Sequence, residues 1–297
     1  MAQKEFRNPP RYMVGDIVYS HGVICVVCSI YPFSIYYSYD LKVIDGQSLG
    51  KICQNDIMHV HIWEEFLKKN GWTCYRSEGE CLGHKWYKHQ EYPFTLRYNN
   101  FLGICGVSFN DGKDDVVMIK CVDELQHILY GLQLDSNLKY KRMDKLEYIP
   151  GDLVMTNGVP CGTAKDVVYR VTTSDPSKTF EFDDGTELKG AVRLENLEGV
   201  EFGDKGFLFG DCCAWVNHIV PIPLTFSILE KNGWKSDGYD WHKLPTKRAY
   251  LYITKDTGAN EFLVCLGLDR HNLASVRFVH ELQHLLYGLK INSEMEV

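Results

Sequence analysis

The sequence predicts an α+β chain made of two tandem copies of one unit. Each copy is a small SH3-like antiparallel β-barrel followed by a helix, antiparallel strands and a C-terminal helix. Three recurring phrases carry this reading. Tyr12-Met-Val-Gly-Asp-Ile-Val18 returns as Tyr148-Ile-Pro-Gly-Asp-Leu-Val154, and Phe66-Leu-Lys-Lys-Asn-Gly-Trp72 returns as Ile228-Leu-Glu-Lys-Asn-Gly-Trp234. Val122-Asp-Glu-Leu-Gln-His-Ile-Leu-Tyr-Gly-Leu132 returns as Val279-His-Glu-Leu-Gln-His-Leu-Leu-Tyr-Gly-Leu289, agreeing at nine of eleven positions. Three phrases in the same order are the signature of an internal repeat.

The copies span residues 1–145 and 146–297, with barrels over about 12–60 and 148–220 and α+β parts over about 61–135 and 221–297. The offset between copies rises from 136 at the first phrase to 162 at the second. The second copy therefore carries about 26 extra residues, placed around Gly203 to Val220.

In chain order, Gly-Asp opens short β-branched runs, Ile17 to Tyr19, Val23 to Ile30 and Phe33 to Tyr39. Asp45-Gly46, and Asp184-Gly185 in the second copy, supply turn residues between such runs, which reads as a bent antiparallel barrel. A helix follows. Thr225 suits the N-cap of Phe226 to Lys231, and Asn232-Gly233, like Asn70-Gly71, suits a left-handed C-terminal cap. Strands are expected at Phe94 to Tyr98, Gly103 to Phe109 and Val116 to Lys120. Their counterparts are Ala249 to Thr254, Phe262 to Leu268 and Ser275 to Phe278. A helix of about eleven residues closes each copy.

Composition bounds the function. With 45% apolar residues over 297, the chain has ample core. Its apolar runs stop well short of the eighteen or so residues that span a bilayer, and MAQKEFRNPP lacks an apolar signal core, so a soluble cytoplasmic protein is expected. Eleven cysteines without framework spacing read as reduced thiols. The net charge of -7 argues against nucleic acid as a partner. Residues 1–147 carry 17 basic and 18 acidic side chains, residues 148–297 carry 15 and 21, and Lys139 to Arg142 is the only basic cluster of note.

His280-Glu281-Leu282-Gln283-His284 fits the HExxH pattern, in which His280 and His284 would bind zinc and Glu281 would activate a water. The repeat weighs against it. The first copy reads Asp123-Glu124-Leu125-Gln126-His127, so Glu-Leu-Gln-His recurs where one ligand is missing. No third ligand follows at the expected spacing, since Tyr287 and Lys290 stand where a metzincin has Gly and His. A helical wheel sets Phe278, Leu282, Leu285, Leu286 and Leu289 on one face with His280, His284 and Tyr287 opposite.

Cys25-Val-Val-Cys28 has no partner pair, because Cys161 and Ala164 take its place in the second copy. Trp72, Trp234, Trp86 and Trp241 read as core plugs rather than a stacking platform. Phosphate-cradling and nucleophile-elbow motifs are absent from the sequence. The favoured recognition residues are Tyr31, Tyr36, Tyr37 and Tyr39, crowded in one barrel segment, with His127, Tyr130, His284 and Tyr287, which both closing helices share.

The small barrel, Pro221-Ile-Pro-Leu-Thr225, Lys231-Asn-Gly-Trp234 and the closing Val279 to Leu289 phrase with Glu294-Met-Glu-Val297 carry a family resemblance. Together they resemble an uncharacterised family of short proteins from gut Bacteroidetes and their phages, whose members close on a phrase similar to VHQLQNLYFALTGEEL. There the position of His280 is often His, whereas Glu281 and His284 correspond to Gln and Asn. The resemblance implies no known activity and hints only at a phage or mobile-element setting.

The expectation is thus a non-enzymatic binding or adaptor protein without cofactor, which engages a protein or small ligand and interferes with a host process. A zinc-dependent hydrolase through His280, Glu281 and His284 is the first alternative, and a structural or assembly protein the second.

Overall fold

A computed structural model of the chain describes residues 10–33, 36–44, 46–78, 83–99, 102–109, 115–136, 138, 147–160, 162–182, 185–197, 211–238, 240–246, 250–256, 258–267 and 270–297. Strands take 49% of the residues and helices 16%, so the molecule is mainly β and the expected α+β class is corrected. The expected closed SH3-like barrels are corrected too. The described residues form four open, five-stranded antiparallel sheets.

In the first copy β1 (Ile17–Ser20), β2 (Val23–Phe33), β3 (Tyr36–Val43), β4 (Ser48–Cys53) and β5 (Met58–His59) form a sheet of order β4-β3-β2-β1-β5. Helix α1 (Glu64–Lys69) leads to a meander of β6 (Thr73–Glu78), β7 (His84–Lys88), β8 (Thr95–Asn99), β9 (Ile104–Ser108) and β10 (Val117–Ile119), and α2 (Val122–Gly131) follows.

The second copy repeats this order with β11 (Leu153–Thr156), β12 (Tyr169–Glu181), β13 (Glu187–Asn196), β14 (Asp211–Trp215) and β15 (Ile219–Pro221). Then come α3 (Phe226–Lys231), the meander β16 (Lys235–Gly238), β17 (Trp241–Pro245), β18 (Tyr250–Asp256), β19 (Glu261–Leu266) and β20 (His271–Val276), and α4 (Val279–Gly288). Its sheets have the orders β14-β13-β12-β11-β15 and β16-β17-β18-β19-β20.

The misreading of class has a local cause. β6 is Thr-Cys-Tyr-Arg-Ser-Glu and β16 is Lys-Ser-Asp-Gly, and each is the outer strand of its meander. An edge strand with a solvated face shows no apolar alternation, so these strands are silent in a periodicity reading. The helices, by contrast, sit close to their expected places. Thr225 Oγ1 accepts the Ile228 N–H at 3.2 Å, and Gly71 (φ 81°) and Gly233 (φ 83°) take the left-handed position after Asn70 and Asn232.

The repeated Gly-Asp phrase is a turn lock. Asp16 Oδ2 accepts Met13 N–H at 2.7 Å while Gly15 N–H reaches Val27 O at 2.8 Å. Asp152 Oδ2 accepts Ile149 N–H at 2.7 Å while Gly151 N–H reaches Val171 O at 2.8 Å. These bonds make Val27 and Val171 equivalent, 144 residues apart, and ladder pairing carries the equivalence onward. Val27 faces Leu41 as Val171 faces Leu194, which are 153 apart, and Leu41 faces Gly50 as Leu194 faces Cys212, which are 162 apart. The extra residues of the second copy therefore enter at three places: the β11–β12 connection, the β12–β13 hairpin and the β13–β14 connection. A single insertion around Gly203 to Val220 is corrected accordingly; residues 203–210, like Lys139 to Arg142, lie outside the described residues.

Contacts group the chain into two compact units, each assembled from both copies. The first takes residues 1–59 and 142–222, the two N-terminal sheets; the second takes residues 60–141 and 223–297, the two meanders with helices α1 to α4. In the first unit each sheet wraps its own core. One core holds Tyr12, Val18, Val27, Ile30, Tyr39 and Leu41, and the other Tyr148, Val154, Tyr169, Val171, Val192 and Leu194.

In the second unit α2 and α4 run antiparallel in direct contact. A Cβ added at Gly131 would lie 2.5 Å from His284 O, and one at Gly288 would lie 2.5 Å from His127 O. Only glycine lets the two backbones approach this closely. Among the described residues, no helix is long and apolar enough to cross a membrane.

Candidate functional site

The HELQH segment is occupied by structural work on both copies. Glu281 Oε2 accepts the backbone N–H groups of Arg277 at 2.5 Å and Phe278 at 3.1 Å, and Glu124 Oε2 accepts those of Lys120 at 2.6 Å and Cys121 at 3.2 Å. Each glutamate thus caps the N-terminus of its own helix, where the free N–H groups favour an anion. Burial alone would raise the Glu124 carboxyl, but hydrogen bonds from Lys290 Nζ and from the two backbone N–H groups outweigh it and hold the carboxyl below its usual range. Gln126 Nε2 donates to Ser136 O at 3.4 Å and Gln283 Nε2 to Ser293 O at 3.2 Å, which ties down the chain after each helix.

His127, Tyr130, His284 and Tyr287 meet one another. The His127 and Tyr287 rings lie 4.8 Å apart, and Tyr130 and His284 repeat the contact at 4.8 Å with the copies exchanged. His280 stacks on Phe278 and is 1% exposed, so the helix face expected to point away from the core is buried. The wheel failed because α4 is covered on two sides, by β20 of its own sheet and by α2. Among the described residues, no third His, Cys, Asp or Glu gathers with His280 and His284 in a metal-binding group.

The four tyrosines part company. Tyr39 is fully buried and its hydroxyl accepts Arg11 N–H at 3.1 Å; burial pushes its phenol far above the ordinary value. Tyr37 packs partly against the first core. The side chain of Tyr36 lies outside the described residues. Tyr31 opens on a cleft. Of the other residues singled out, Trp72, Trp234 and Trp86 are buried, as is Cys25, and Cys28 is half-buried.

That cleft, of about 270 Å³, lies within the first unit, where β2 runs against β12. Its lining comes from both copies: Tyr31 and Lys51 from the first, and Thr173, Asp175, Lys178, Ala191, Val192, Arg193 and Cys213 from the second. Strand alternation explains who faces it. Ser174 turns to its own core side and bonds Tyr148 O at 3.0 Å, so Thr173 and Asp175 point the other way. Thr173, Arg193 and Cys213 are direct cross-strand neighbours, as are Asp175 and Ala191.

On the opposite wall the Tyr31 hydroxyl donates to Asp40 Oδ2 at 2.9 Å, and Lys51 Nζ sits 4.0 Å over the Tyr31 ring. Burial, then the bond to Asp40, then the charges of Asp40 and Asp175 raise the Tyr31 phenol; a bond with Ser29 offsets part of this. The phenol therefore stays a neutral donor.

Both N-terminal sheets carry a bulge at the same place, between Val27 and Ser29 and between Val171 and Thr173. Following the ladders past it, Tyr31 is equivalent to Asp175, Asp40 to Arg193, and Lys51 to Cys213. The two walls are thus the same face of the repeat with different chemistry. A further bulge between Asp175 and Thr179, absent from the first hairpin, supplies Lys178; bulges re-aim side chains in this way. Lys51, Asp175, Lys178, Arg193 and Cys213 were not foreseen from sequence. The signal available was the acid-to-base change between Asp40 and Arg193, visible only once the copies are aligned through three extensions. No family model matches the chain, and no curated protein matches it.

Proposed function

We propose that this is a non-catalytic binding protein that captures a small polar ligand in the cleft of its first unit. One observation carries the reading. Equivalent faces of two copies line one concave site, yet their residues differ in charge and size, as expected of a surface that recognises an unsymmetrical molecule. At about 270 Å³ the cleft lies near the lower end of small-molecule sites, which favours a metabolite-sized ligand over a protein segment. The zinc-hydrolase alternative finds less support, because Glu281 is turned to the backbone of its own helix rather than to a water between His280 and His284.

The test is a thermal-shift screen of polar metabolites on the full chain and on Cys213→Trp, which fills the cleft from an exposed position. A ligand that binds only the folded state raises the melting temperature by mass action. The reading expects hits on the parent chain that vanish in the variant. Hits that persist unchanged in Cys213→Trp place the site elsewhere.

A further inference from the structure

The cleft's charges deepen this reading and rest on it. We propose that the cleft is an anion site, which takes a small organic molecule through a phosphate or carboxylate group held by Lys178 and Arg193, with Lys51 and Tyr31 on the facing wall.

The chain as a whole carries a net charge of -7 and repels anions. The cleft reverses that balance, with Lys51, Lys178 and Arg193 set against Asp175 in the lining. A concave wall of low polarizability focuses such a field, so a local excess of cations has more effect there than on an open surface. Two of the cations are held by weak partners. Lys178 makes no ion pair among the described residues. Lys51 rests over the Tyr31 ring, a cation–π contact weaker than the charge-assisted hydrogen bond an anionic oxygen offers.

Arg193 stands directly between Thr173 and Cys213 across the ladder and lines the same wall as Lys178, so an arginine and a lysine are offered to a ligand from one side. The history of the two walls points the same way. At the position equivalent to Arg193 the first copy keeps Asp40, tied to the Tyr31 hydroxyl, and Lys178 enters through a bulge the first copy lacks. Both differences add positive charge to the second wall. Cys213 in place of Lys51 subtracts one such charge, and so does Asp175, equivalent to Tyr31. Asp175 gives the site polarity, and it sets a limit on how many negative charges the ligand carries.

The experiment is isothermal titration of the full chain with a hexose phosphate, inorganic phosphate, glutarate and the neutral hexose, at low and high salt. The inference expects saturable binding of the hexose phosphate or of glutarate, the pair telling phosphate from carboxylate recognition, and none of the neutral hexose. Affinity should fall with salt and drop about tenfold or more in Arg193→Met and in Lys178→Met, the usual scale for one lost charge-assisted hydrogen bond. Lys178 is exposed, so its variant keeps the fold and the measurement stays interpretable if Arg193→Met does not. Asp175→Asn should tighten anion binding. Binding of the neutral hexose alone, lost in Cys213→Trp, overturns the anion class and leaves the cleft reading standing. Absence of binding for every anion, or anion binding indifferent to Lys178→Met and Arg193→Met, overturns the inference.

Discussion

The copies meet in two places that follow opposite rules. In the second unit the α2–α4 seam pairs identical residues: His127 with Tyr287 and His284 with Tyr130, and Gly131 against His284 as Gly288 is against His127. In the first unit the cleft sets equivalent positions together with unlike residues, Tyr31 with Asp175 and Lys51 with Cys213. A close-packed seam between two copies is satisfied by one solution used twice. A recognition surface has no such need, and after duplication each wall can change alone. The difference teaches which shared residues to read as architecture and which unshared ones to read as function.

The largest expected effect breaks the seam. Gly131→Ala or Gly288→Ala places a Cβ against a backbone oxygen that cannot move aside, and each should lower unfolding free energy by about 3 kcal/mol, the upper range for overpacking. Chemical denaturation should give losses equal within about 0.5 kcal/mol, and the double variant should lose less than the sum, because the first change already parts the helices.

The next effect sharpens the seam through an asymmetry in it. Glu124 and Glu281 both cap, but Glu124 also pairs with Lys290 at 2.6 Å, whereas Gln133 stands at the position equivalent to Lys290 and donates to Ser275 O instead. Glu124→Gln should cost about 2 kcal/mol and Glu281→Gln about 1 kcal/mol, measured by the same denaturation. The Glu124 carboxyl is held below its usual range in the folded protein. Its contribution is therefore present above the unfolded carboxylate pKa and fades as pH falls, so the two variants should differ less in acid than at neutral pH.

The smallest effect concerns the helices that open the second unit. Lys68 and then Lys85 hold the Glu64 carboxyl down to about 2 from an ordinary 4.5. The second copy has Phe226 there, stacked on His242 at 4.7 Å. Above pH about 4.5 the Glu64 contribution is complete, and it disappears between about 4.5 and 2. Both lysines reach it near the surface, so Glu64→Gln should cost less than about 1 kcal/mol at pH 7 and nothing near pH 2. A pH series of melting curves checks this, and Phe226→Ala should show no such acid dependence.

Much of the local structure was legible. The closing helices, the Asn-Gly caps at Asn70 and Asn232 and the Thr225 cap depend on neighbours within four residues, and sequence patterns record such relations well. β6 and β16 were not legible, because polar outer strands have no buried face to write a period. The class was misjudged for that reason, since two unread hairpins tip an apparent α+β chain to mainly β. Tyr31 was named among four tyrosines, but its partners were not. Lys51 is brought to it by ladder pairing, and Asp175, Lys178 and Arg193 by the packing of β2 against β12, some 140 residues away in sequence. The shared helix residues were legible as shared, yet what they touch is the sister copy.

The most direct test of the account measures ligand affinity and unfolding free energy on the same two variants, Arg193→Met and His284→Ala. The account predicts a crossed result with the hexose phosphate or glutarate. Arg193→Met should weaken binding about tenfold while stability stays within about 0.5 kcal/mol. His284→Ala should lower stability by about 1–2 kcal/mol, through the lost ring contact with Tyr130 and a buried polar group, and leave affinity unchanged. Loss of affinity in His284→Ala with full affinity in Arg193→Met would contradict it.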